Sequence, residues 1–174
     1  FAGRDGSVVL IRNHELSPAR AFDATLAYDA EAGGGTTTLI FDPATGLVSS
    51  SRASLSGTLR NCAGGATPWD SWLTCEETTL GPAENPRLKQ AHGYVFEVPI
   101  DGTPSRRPIL EMGRFMHEAV AVDPETSSVY QTEDQRRSGL YRFTPRSPRR
   151  LAEGGHLQML AIDGAPKADL RRGQ

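Results

Sequence analysis

Cysteine is nearly absent: the 174 residues contain two, Cys62 and Cys75. Two thiols cannot form a multi-bridge disulfide framework, and neither Cys-x-x-Cys nor His-x-x-x-His occurs to suggest structural zinc. Charge of one sign is missing as well. With Lys+Arg 19 against Asp+Glu 21 and a net charge of -2, there is no uniform basic field to hold nucleic acid or an anionic membrane. The longest apolar runs, SVVLI at 7–11 and EAVAV at 118–122, fall far short of the ~20 residues a membrane span needs. Helix-forming stretches are missing too, because 18 Gly and 12 Pro are spread along the whole length and leave no amphipathic helix of three turns. At 37% hydrophobic, what remains can bury one sizeable core.

What the chain does have is turn chemistry. FDPATGLV at 41–48 and VDPETSSVY at 122–130 each set Asp-Pro between runs of β-branched or aromatic residues, which is the composition of a tight hairpin. The reading is all-β. Three segments, VLIRNHE (9–15), SWLTCEE (71–77) and SVYQTED (128–134), run an apolar strand into an acidic end. HGYVFEV (92–98) and SGLYRFT (138–144) follow the last two with a Gly and then apolar alternation. Upstream, NCAGGATP (61–68) lies on HEAVAVDP (117–124), pairing Asn61 with His117 and Cys62 with Glu118. Units of roughly 40 to 60 residues built from antiparallel strands are the signature of β-propeller blades. Blade-like repeats are expected at approximately 1–55, 56–112 and 113–174. A β-sandwich is the competing reading, since hairpin composition is common to both.

In a blade, the start of the first strand and the end of the second lie at one face. Cys62 and Glu118 start first strands; Glu15, Glu76, Glu77, Glu133 and Asp134 end second strands. A thiolate among carboxylates has the composition of a metal site, with oxygen ligands suited to calcium or iron and a sulfur suited to a softer or redox-active ion. Each piece alone has a plainer explanation. A lone cysteine is usually a small hydrophobe, an acidic pair at a strand end is usually solvated, and His14 and His117 can be packing histidines. A Cys62–Cys75 disulfide also stays open at this point.

The stretch NCAGGATPWDSWLTCEE (61–77), with GRFMHEAVAVDPETSSVYQTED (113–134) and SGLYRFTP (138–145), closely resembles the PhoX-type alkaline phosphatases and PhoX-like proteins. The resemblance implies a six-bladed propeller that hydrolyses small-molecule phosphate monoesters with iron and calcium at the channel mouth. It further implies twin-arginine export to the periplasm or beyond, with the signal peptide outside this chain. By position in the motifs, Cys62 resembles the iron-ligating thiolate and Glu118 the first-strand carboxylate ligand, while Glu76 and Glu77 match calcium or outer ligands. About three blades are visible, and a closed six-bladed ring takes on the order of 340 residues, so the chain reads as a fragment that lacks the remainder of the propeller. The family's Arg-Pro-Glu-like segment, which contacts phosphate, has no counterpart here, and Arg114 is not assigned to that role. A calcium-dependent propeller lactonase and a non-catalytic propeller binding module are the alternative functions.

Overall fold

The computed structural model describes residues 1–3, 5–101 and 105–164. The alternation of apolar and polar residues forms ten strands: β1 (Val8–His14), β2 (Gly34–Asp42), β3 (Leu47–Thr58), β4 (Asn61–Ala66), β5 (Ser71–Glu76), β6 (Val95–Pro99), β7 (His117–Val122), β8 (Val129–Glu133), β9 (Leu140–Pro145) and β10 (Gly155–Met159). Among the described residues the helical elements are two short 3-10 turns, Leu110–Met112 and Leu151–Glu153. β8 shows the period of two, with Val129 and Gln131 buried and Tyr130 exposed between them.

The strands form three antiparallel sheets, ordered β1-β2-β3, β4-β5-β6 and β10-β9-β8-β7, and none closes into a barrel. This is a partial β-propeller-like fold. Val9 to Arg12, Trp72 to Thr74 and Val129 to Gln131 fall in three different sheets, as the repeat requires. Both expected hairpins form. Asp42 anchors the first by accepting hydrogen bonds from Ala44 N–H and the Thr45 hydroxyl, and Asp123 anchors the second from Glu125 and Thr126. β3 continues to Thr58, past the expected break at 55, so the first sheet gives way to the second at Leu59 and Arg60. The end of the last expected unit, 165–174, lies outside the described residues.

A three- or four-stranded sheet cannot cover both of its faces, so apolar side chains of neighbouring sheets meet. Leu73, Cys75 and Val95 of the second sheet pack with Val120, Val129 and Phe143 of the third. Leu55 of the first sheet packs with Phe96 and Val98 of the second, with Ile11 and Tyr28 against them. The outer sheets carry exposed apolar residues, including Leu47 and Val48 on β3 and Leu140 and Met159 on β9 and β10.

The second and third sheets match residue by residue at their first two strands. Asn61 pairs with Glu76 and Gly64 with Thr74; His117 pairs with Glu133 and Val120 with Gln131. A register shift follows Asn61 in one sheet and His117 in the other. Such bulges re-aim a side chain without ending the pairing. The residues they re-aim are Cys62 with Ala63, and Glu118 with Ala119.

Candidate metal centre

The site begins with the close approach of β4 to its neighbours. A Cβ on Gly64 would stand 1.9 Å from the Leu73 carbonyl oxygen, and one on Gly65 would stand 2.2 Å from that of Val120. Only glycines let β4 lie against both β5 and β7 at this distance. That contact brings Cys62, at the head of β4, to Glu118, at the head of β7. The Cys62 Sγ lies 3.8 Å from Glu118 Oε2 and 3.5 Å from the Glu118 carbonyl oxygen.

Asn13 fixes Cys62 from the other side. Its Nδ2 donates to the carbonyls of Cys62 and Ala63 at 3.3 and 2.9 Å, and its Oδ1 accepts from Trp72 Nε1 and the Thr74 hydroxyl, each at 3.0 Å. Asn61, fully buried, accepts from the Thr58 hydroxyl and donates to that of Thr74. The segment before the thiol is therefore satisfied on every side. Sequence reasoning missed Asn13, although it lies two residues before Glu15, the acidic end of the segment matching β5 and β8.

Glu77 completes the cluster. Ligand atoms of Cys62, Glu77 and Glu118 all lie within 4.8 Å of one another, and each residue is partly exposed. Burial pushes the Cys62 thiol up to about 12, helped by Glu118, Glu77 and Glu15. Burial likewise raises Glu77, joined by its side-chain hydrogen bond to Asp134 and the charges of Glu118, Asp134 and Glu15. The acidic ends of all three matching strands thus bear on one mouth. Burial and the neighbouring charges favour the protonated forms of Cys62 and Glu77, and a cation would compete with those protons.

Glu76 does not join this group. Adjacent strand residues point to opposite faces, and with Glu77 at the mouth the Glu76 carboxylate is fully buried. Its Oε1 accepts from Leu59 N–H and His92 Nδ1, and its Oε2 from Gly93 and Tyr94 N–H. All its strong acceptor directions are taken. Glu133 is occupied in the same way by Gly139 N–H and the Tyr141 hydroxyl. Cys75 is fully buried in the inter-sheet core, and both cysteines are free thiols. Arg114 is tied to the carbonyls of His92 and Thr79. His14 shares a hydrogen bond with the Thr37 hydroxyl and packs on Phe22.

His117 is a packing histidine. Its ring lies on Phe115 with centroids 3.6 Å apart, Nε2 donates to the Gly113 carbonyl, and Nδ1 is buried without a partner. Burial lowers its pKa to about 4. The unfolded chain takes up this proton near the ordinary value of 6.5, so the stability is present above that pH and is lost as pH falls toward 4. The loss is on the order of 3 kcal/mol. Urea unfolding across this range should show that slope in wild type and lose it in His117→Gln; an unchanged slope would assign it to another group.

An all-β, propeller-like chain that gathers a thiol and carboxylates from matching strand ends is a candidate metal-binding propeller segment. The chain belongs to the alkaline phosphatase PhoX family, whose model matches residues 34–172. Among solved structures it is similar to Pseudomonas fluorescens PhoX in complex with vanadate, a transition state analogue, with a TM-score of 0.55 and 20% identity. The match covers 75% of this chain and 36% of that one, so the chain spans little more than a third of that structure's length, and the likeness speaks to the fold. A comparison with curated protein sequences finds no match.

Proposed function

We infer that this chain supplies part of the channel mouth of a metal-dependent phosphatase that hydrolyses small-molecule phosphate monoesters with iron and calcium. One observation carries the reading: Cys62, Glu77 and Glu118 converge within 4.8 Å, in a chain whose family is defined by alkaline phosphatases. The donor set fits the metals. One soft sulfur beside hard carboxylate oxygens distinguishes an iron position from a calcium position. Cys62 would help hold iron, Glu77 would help hold calcium, and Glu118 would be available as a carboxylate ligand to either.

When bound, the metals supply Lewis-acid polarisation of the phosphoryl oxygens and neutralise developing charge. The protein's part is geometric and protonic. Gly64 and Gly65 set the separation of the thiol from Glu118, Asn13 orients the backbone around Cys62, and the hydrogen bond with Asp134 favours the protonated form of Glu77, against which a cation would compete. The family resemblance also supports export to the periplasm or beyond.

The test uses the full-length protein. Chelation should abolish turnover of p-nitrophenyl phosphate, and iron with calcium should restore it. Calcium-dependent turnover of a lactone with none of the phosphomonoester would replace this reading with the lactonase.

A further inference from the structure

Behind the mouth lies a buried triad that the metal reading does not use. Asp29, Glu76 and His92 have fully buried side chains. His92 Nδ1 donates to Glu76 Oε1 at 2.6 Å, while Nε2 faces Asp29 Oδ2 at 3.5 Å without a well-formed hydrogen bond. Asp29 is already occupied by the N–H groups of Glu31, Lys89 and Gln90. The Tyr28 ring meets the imidazole edge-on, at 5.5 Å between centroids.

The third sheet offers an internal comparison. There Glu133 stands where Glu76 does and accepts the equivalent glycine N–H, from Gly139 in place of Gly93. Ser138 occupies the position of His92. The carboxylate-to-glycine clamp is thus common to both units, and the histidine is an addition of the middle one. The middle unit is also the one that contributes both Cys62 and Glu77.

Glu76 links these two residues. Its Oε1 accepts from Leu59 N–H at 2.8 Å, in the tight turn through Arg60, where φ is 46. The Arg60 carbonyl in turn accepts Glu77 N–H at 3.0 Å. The turn leads directly into Asn61 and Cys62. A shift of the Glu76 carboxylate therefore moves the backbone of Glu77 and the approach to Cys62 together. His92 is the side chain that holds Glu76 in place, since the other donors are backbone N–H groups.

We propose that His92, through its Nδ1 bond to Glu76, is a positioning residue for the Cys62–Glu77 pair of the metal centre. This rests on the metal reading above. Groups that orient ligands from behind are typically worth about 10–100-fold in metal affinity. Two amide variants separate the two sides of the ring: His92→Asn puts an N–H donor where Nδ1 stands, toward Glu76, and His92→Gln puts one where Nε2 stands, toward Asp29.

The probe is cobalt(II) alone, titrated into the metal-stripped full-length protein and read by its thiolate-to-cobalt absorption band. Wild type should show the band, His92→Asn should bind within about threefold of wild type, and His92→Gln should bind about 10–100-fold more weakly. Melting temperature is measured in parallel. Equal affinity in all three proteins would overturn the proposal, as would weakening in both variants that tracks their loss of stability, or weakening confined to His92→Asn. Absence of the band in wild type would remove the metal reading itself, and the positioning role with it, which separates the two failures.

Discussion

Cys62→Ser in the full-length protein should lose its iron, keep most of its calcium, and turn over phosphomonoesters more than about 100-fold more slowly than wild type. A hydroxyl is a poor substitute for a thiolate at iron, whereas an oxygen-ligated calcium is not served by the sulfur. Glu118→Gln should weaken both metals, because its carboxylate stands 3.8 Å from the Cys62 sulfur and within reach of Glu77. Cys75→Ser should leave metal content unchanged and lower stability modestly, since Cys75 packs among Leu73, Val95 and Val120 in the core. Metal analysis and turnover on the three variants side by side check this. Iron lost from Cys75→Ser but kept by Cys62→Ser would exchange the two cysteines and break the strand correspondence behind the assignment.

Gly64→Ala should destabilise the protein by more than about 3 kcal/mol, or prevent folding, because the added methyl would stand 1.9 Å from the Leu73 carbonyl oxygen. That neighbour is backbone within a paired strand and cannot yield without breaking the β4–β5 ladder. Gly46→Ala is the control. Gly64 has φ 154 and Gly46 has φ 71, both positive, but at Gly46 nothing lies within 4 Å of the added atom, so its cost should stay at about 1 kcal/mol. Urea denaturation of the two variants compares them, and equal costs would show that conformational strain outweighs the close approach of the strands.

The fold was legible where local chemistry dictates it. Asp-Pro turns at 42–43 and 123–124, and the recurrence of an acidic strand end at Glu15, Glu77 and Asp134, were enough to expect antiparallel sheets from matching units. The pairing of Cys62 with Glu118 could be read from a motif alignment, and the sheet register places the two at equivalent bulges. The direction of Glu76 was available and overlooked, since strand alternation allows only one of two adjacent glutamates to face the mouth. The supporting shell was not legible. Asn13 reaches the Cys62 carbonyl across 49 residues, and Lys89 N–H reaches Asp29 across 60. Neither contact has a local sequence signature. The glycine pair was visible, but its purpose was not, because Gly65 is demanded by Val120 of another sheet and Gly64 by the bulged register against Leu73.

The central claim is that Cys62, and not Cys75, places sulfur on a metal held with Glu77 and Glu118. X-ray absorption at the iron edge of the full-length protein tests it most directly. A sulfur scatterer should appear in wild type and in Cys75→Ser and be absent from Cys62→Ser; an iron shell of only oxygen and nitrogen in wild type would contradict it.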